Sequence, residues 1–117
     1  MAAALASLSL VVPVKTTLTA PGHSPKVRVR WAYVVRATQG GRPAAARITV
    51  QTVDPLGNVH PVQFGSTTKP IVRRPFSGVF RDYIRWPAAA RGIPLTLRVT
   101  VVVAHTRRII RYAVTPR

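Results

Sequence analysis

The chain carries two carboxylates, Asp54 and Asp82, three histidines, His23, His60 and His105, and no cysteine. Hydrolytic and acid-base chemistry draws on carboxylate pairs, or on a histidine oriented by a partner. Asp54 opens the stretch "DPLGN", where a turn already accounts for it. Asp82 falls among apolar residues of an alternating stretch. It is read either as a half-buried acid paired with an arginine or as the mark of a bulge that turns it outward. None of the histidines has a second ligand two or four residues away, the spacing on which metal sites are commonly built. Ser24, Ser66 and Ser77 lack a nucleophile-elbow setting, and no glycine-rich phosphate loop or dinucleotide fingerprint is present. The expectation is a protein that is not an enzyme, with no catalytic residue, metal ligand or cofactor.

The cations are the remaining candidates. Lys and Arg total 18 against 2 acidic residues, a formal net charge of +16, and the isoelectric point is about 12.0. Such a chain attracts anionic polymers at neutral pH. Arginine outnumbers lysine, and alanine, proline and glycine are frequent, a skew that high-GC coding also produces. In "KVRVRWAYVVRAT", residues 26–38, Val27, Val29, Trp31, Tyr33, Val35 and Ala37 alternate with Arg28, Arg30 and Arg36. In the same way Arg47, Arg98 and Arg111 take the polar side of later alternating stretches. These six arginines are the candidate polyanion contacts. Alternate positions on a strand lie about 7 Å apart, near the spacing of successive phosphates on an extended polymer. Against a dedicated nucleic-acid groove, Trp31, Tyr33 and Tyr112 alternate inward, leaving Phe64 and Tyr83 as the outward rings for stacking. The charge is also spread over both faces, which favours general basicity over an evolved groove.

What must position these side chains is a set of strands. The length suits one domain, and a hydrophobic share of 47% is too high for a disordered basic tail. Alternation of Val, Ile, Thr and aromatic residues dominates from residue 14 onward. Strands are predicted over 14–20, 26–38, 46–53, 59–64, 76–87, 95–104 and 108–115, with a short extended piece at Ile71 and Val72. "DPLGN" makes a hairpin turn with Gly57 in the left-handed conformation, and Pro61 argues for an edge strand. "PAAARGIP" reads as a short helical turn near 87–92. His105, Thr106 and Arg107 are expected to link the last two strands. About seven strands with turns every ten residues or so predict an all-β fold, a two-sheet antiparallel sandwich over residues 14–117. For residues 1–13, "MAAALASLSLVVP", two readings stand: the remnant of a signal segment whose basic start is missing, or a disordered terminal tail. No apolar run is long enough to span a membrane as a helix.

"GRPAAARITV" leading into "DPLGN", then "FSGVFRDY" and a closing valine-rich hairpin, resembles small immunoglobulin-like domains of the fibronectin type III or bacterial surface-protein kind. Antibody-type domains carry an inter-sheet disulfide and a Trp on the third strand, whereas this chain has no Cys and places Trp31 on the second, as fibronectin type III domains do. A tyrosine near the start of the penultimate strand is missing, Leu95 and Leu97 standing there. The resemblance implies a secreted or cell-envelope binding or structural module, of the kind found in high-GC bacteria, and the basic charge makes anionic polymers or proteins its expected contacts. It transfers no binding residue, because such modules share a scaffold rather than a site. The alternatives are a basic nucleic-acid-binding protein, cytoplasmic or virion-associated, and an inert spacer domain.

Overall fold

The computed structural model describes residues 12–117, so the two readings of the N-terminal segment fall, up to residue 11, outside the described residues. Nine strands follow in order: β1 (Val14–Thr19), β2 (Arg30–Gln39), β3 (Arg42–Pro43), β4 (Ala45–Val53), β5 (Val59–Pro61), β6 (Arg74–Ser77), β7 (Val79–Arg85), β8 (Leu95–Val103) and β9 (Thr106–Val114). A 3-10 turn at Ala88–Ala90 joins β7 to β8, where the sequence predicts a helical turn. Every pairing is antiparallel. In the four-stranded sheet β2 pairs with β1, β3 and β7; in the five-stranded sheet the order is β5-β4-β8-β9, with β6 also on β4. The two sheets pack as a sandwich.

Period-two burial builds the layer between them. Trp31, Tyr33, Val35 and Ala37 point inward from β2, Ile48 and Val50 from β4, and Leu97, Val99, Val101 and Val103 from β8, all in one cluster. Trp31 lies 5.6 Å from Trp86, edge to face, and 5.9 Å from Tyr112. Its indole Nε1 donates to the Gly22 carbonyl at 3.1 Å. Tyr112 is half-buried, and His23 stacks on it with centroids 4.2 Å apart.

Three of the expected strands change. The alternation predicted from residue 27 begins only at Arg30. Arg28 adopts a left-handed φ of 64° and donates its N–H to Trp86 O at 2.8 Å, so the chain turns there and Val29 is left 49% exposed. The single strand expected over 76–87 is two strands in different sheets. Gly78, with φ of 73°, is the crossing point: it donates to Ala44 O and accepts from Ala37 N, and a Cβ there would meet Pro43 at 2.8 Å. The strand expected over 59–64 stops at Pro61. Beyond it Val62 donates to Val50 O and Ile71 to Val62 O, continuing the packing without a regular ladder.

Two turns show how local chemistry sets register. Asp54 Oδ1 accepts the N–H groups of Leu56 and Asn58, each at 2.9 Å, and Oδ2 meets His60 Nε2 at 3.0 Å. Gly57 has the left-handed φ expected of it, 85°. The last hairpin is tighter than expected, because the ladder runs to Val103 opposite Thr106 and leaves only Ala104 and His105 in the turn. Ala104 holds φ of 52°, a conformation that costs a side chain about 1–2 kcal/mol. Ala104→Gly is therefore expected to raise unfolding free energy by about 1 kcal/mol in urea melts after glycine's greater unfolded-state entropy is offset; a drop in stability contradicts the turn geometry.

The hydrogen bonds from His60 and then from Asn58 hold the Asp54 carboxyl below its usual range. A depressed folded-state pKa stabilises the fold above the unfolded carboxylate range, and that contribution disappears as pH falls through the folded value. Carboxyl NMR titration is expected to place Asp54 below the ordinary range and to move it upward in His60→Ala. An unmoved titration rules out the contact.

Candidate anion-binding face

Strand parity gives the four-stranded sheet a basic outer surface. On β2 the outward positions are Arg30, Ala32, Val34 and Arg36, which stand opposite Arg85, Tyr83, Arg81 and Val79 of β7. Lys15 extends the same surface on β1, opposite Thr38 and so two residues along from Arg36 in the register. Ala37 donates to Gly78 O across the β2–β7 ladder. By alternation Arg30 and Arg85 then occupy a non-hydrogen-bonded pair, the position at which facing side chains come closest. Like charges directly opposite are destabilising. Tyr83 relieves this one: the Arg30 Cζ lies 4.0 Å from its ring centroid and the Arg85 Cζ 5.3 Å, and the ring quadrupole attracts both guanidinium groups. The ring is not an open stacking platform. Gly65 packs against it so closely that a Cβ would lie 2.5 Å from the ring, and Arg30 covers it.

Arg30 also lines a hollow of about 260 Å³ at the end of this sheet, together with Lys26, Arg117, Pro21, Gly22 and Trp31. Backbone bonds bring these distant segments together: Val27 N donates to Arg117 O at 3.0 Å and Arg117 N to Pro25 O at 2.9 Å. Arg117 Nε donates to Ser24 O at 3.2 Å. Lys26, Arg30 and Arg117 all border this space, which has room for a small anion or one unit of a polymer. A second groove, about 490 Å³, is largely apolar, with Val62, Ile84, Trp86 and Leu95 along it and the Asp54–His60 pair at its rim.

The six arginines singled out in the sequence do not form one site. Arg30 and Arg36 stand on the outer face as expected. Arg28 is exposed but sits in the turn before β2, out of the row, because its backbone has reversed. Arg47, Arg98 and Arg111 lie on the outer face of the opposite sheet, where Arg98 faces Arg111 directly. There Arg98 donates to Gln51 Oε1 through Nη2 at 2.7 Å and Nε at 3.3 Å, and Arg47 Nη1 to Arg73 O at 3.2 Å. Those two guanidinium groups are partly engaged within the protein. Lys26, Arg81, Arg85 and Arg117 join the basic face without having been singled out in the sequence. Arg81 and Arg85 were legible, since they alternate with Tyr83; Lys26 and Arg117 were not, because only the folded backbone joins them. Phe64 is not the outward ring expected of it: half-buried, it packs 6.1 Å from Phe80, with Arg74 above it at 5.4 Å.

Neither carboxylate neutralises this surface. Asp82 is the half-buried acid of the first expectation, but its partner is the Gly65 N–H, 3.2 Å from both carboxylate oxygens, rather than an arginine. Among the described residues the one carboxylate contact with a basic side chain is that of Asp54 with His60, and no three His, Asp or Glu side chains gather in a metal-binding cluster. What the basic face can do chemically is attract and hold anionic oxygen. The charge repulsion has a measurable consequence. Arg85→Gln removes both the repulsion, about 0.2–1 kcal/mol, and the Tyr83 contact that offsets it, so its effect on stability is expected to become less favourable by up to about 1 kcal/mol between low salt and about 1 M NaCl, where the Debye length is about 3 Å. An effect of the same size at both salt concentrations contradicts the repulsion.

No protein-family model, no curated protein and no solved structure matches this chain.

Proposed function

We propose that the protein is a non-enzymatic immunoglobulin-like binding or structural module, displayed at a bacterial cell surface, whose four-stranded sheet docks anionic polymers. The strand order supports the fold type: β1, β2 and β7 on one side and β5-β4-β8-β9 on the other, with Trp31 buried on β2, agree with a fibronectin type III-like arrangement. One observation carries the ligand class. Arg30 and Arg85 are held together on Tyr83 with no carboxylate beside them, and Arg30 continues into the hollow with Lys26 and Arg117. A phosphate or sulfate group satisfies guanidinium pairs of this kind, which offer fixed forks of N–H donors. The mechanism is display: a rigid sandwich presents the cations, and long-range attraction speeds encounter.

A basic nucleic-acid-binding protein is the second reading, favoured by the cations of the hollow, which suit a phosphate of any backbone. The covered Tyr83 ring weighs against it, since single-stranded nucleic acid sites combine phosphate contacts with exposed stacking rings.

Fluorescence anisotropy with a labelled sulfated polysaccharide, a polyphosphate and a single-stranded oligonucleotide tests both. At about 0.15 M salt, replacing Arg30, Arg81 and Arg85 with Gln is expected to weaken polyphosphate and polysaccharide binding by about tenfold or more. The slope of log K against log salt should become shallower by up to about 0.9 for every anionic group the variant no longer neutralises. Replacing Arg47, Arg98 and Arg111 instead should change affinity less than about threefold, since those charges lie on the other sheet. Equal weakening by the two triple variants overturns the assignment to this face, and an oligonucleotide preferred about tenfold over polyphosphate of matched charge favours the second reading.

A further inference from the structure

The outer edge of β9 has a distinct chemistry. Within an antiparallel strand the N–H and C=O of one residue point to the same side, and successive residues alternate. The Ala113 carbonyl lies 2.6 Å from His23 Nδ1, away from β8, and the next outward group, Thr115 N–H, donates to His23 O at 2.8 Å. By alternation the backbone groups of Arg107, Ile109 and Arg111 also face outward from the sheet. Among the described residues no strand pairs with them, because β9 ends the order β5-β4-β8-β9. The Arg107 carbonyl has only a long contact, 3.5 Å, from the Arg108 guanidinium.

Natural edge strands are usually blunted by proline, by bulges or by charge. Of these β9 has only charge: its sequence is TRRIIRYAV, it has nine paired residues in unbroken register with β8, and Ile109 is 40% exposed. The charge is of one sign. Arg107, Arg108 and Arg111 are exposed, and Arg98 stands beside Arg111 on β8. That pattern decides the occupant. A second copy of the chain brings another +16 and the same arginines to the same edge. A strand with carboxylates at alternate positions brings the opposite charge to the side chains and an unsatisfied ladder to the backbone.

We infer that the edge of β9 at Arg107, Ile109 and Arg111, which no described strand pairs, is a docking site for an extended acidic segment of a partner protein, which adds to the five-stranded sheet as a further strand. Main-chain hydrogen bonds supply affinity in strand addition, and the alternate side chains supply selectivity. The His23 contact with Ala113 closes the edge at its far end and so limits how far the added strand can run. This site is independent of the anion-binding face, which lies on the other sheet.

A capped peptide of alternating glutamate and valine tests it, alongside the same peptide N-methylated at alternate residues, which keeps the charge and loses the ladder donors. The first peptide is expected to bind and to slow amide exchange at Arg107, Ile109 and Arg111; the methylated peptide is expected to bind at least about tenfold more weakly. Ile109→Pro, tolerable where the N–H faces out of the sheet, should weaken the first peptide comparably while circular dichroism shows the fold retained. Protection is read amide by amide, and attachment of the same peptide to the four-stranded face slows no exchange along β9, which separates this result from any failure of the polymer-docking reading. Equal binding of the two peptides overturns strand addition in favour of charge alone. Binding that appears only after residues 1–11 are deleted, or protection that rises with protein concentration in the absence of peptide, assigns the edge to the chain itself and overturns it too.

Discussion

The apolar layer between the sheets holds together a chain whose charges repel one another. Tyr33, Val35, Ile48, Val50, Leu97, Val99, Val101 and Val114 are essentially inaccessible to solvent. Burying each such side chain contributes about 1.5–3 kcal/mol. A like-charged pair facing across two strands costs about 0.2–1 kcal/mol, and there are such pairs on both outer faces, Arg30 with Arg85 and Arg98 with Arg111. The comparison is lopsided enough that burial wins, and the arginines are free to be wherever they do not interrupt the layer. With the inside of each strand reserved for packing, the cations collect on the outsides.

Charge on both faces is therefore a consequence of the fold, and it is not by itself a binding site. What distinguishes the four-stranded face is how the repulsion is managed. Arg98 on the opposite sheet gives its donors to Gln51, a neutral partner that uses up part of its hydrogen-bonding capacity. Arg30 and Arg85 rest on the Tyr83 ring, a contact that attracts the charge while their N–H donors meet no acceptor among the described residues. Asp82, the carboxylate nearest in sequence, is turned inward to the Gly65 amide. The face consequently offers uncompensated donors in a fixed place.

The parts of this arrangement that were legible in the sequence are those with local causes. Leu97, Val99, Val101 and Val103 alternate without exception and are all buried; "DPLGN" carries its turn in its own side-chain chemistry; the tri-alanine between Pro87 and Gly92 makes a single turn. Where expectation and structure part, the cause is non-local or backbone-specific. Gly78 falls inside the single strand expected over 76–87, although an isolated glycine in a strand pattern also marks a close backbone approach, and here Pro43 lies against it. Arg28 gives no local sign of a left-handed backbone, because arginine has no preference for it; the Trp86 carbonyl selects that conformation. Lys26 and Arg117 meet only because two backbone hydrogen bonds join segments far apart in the chain. The candidate site was thus half visible: the alternation of Arg81, Tyr83 and Arg85 was there to be read, and the hollow beside Arg30 was not.

Arginine side-chain NMR during titration with a short sulfated oligosaccharide addresses the central claim most directly, because each guanidinium Nε–H reports its own surroundings. Saturable shifts are predicted, concentrated at Arg30, Arg85 and Arg117 and accompanied by the Tyr83 ring, with Arg47, Arg98 and Arg111 little changed. Small shifts of similar size at all of these arginines, without saturation, contradict the claim and leave the basicity of the four-stranded face a by-product of composition.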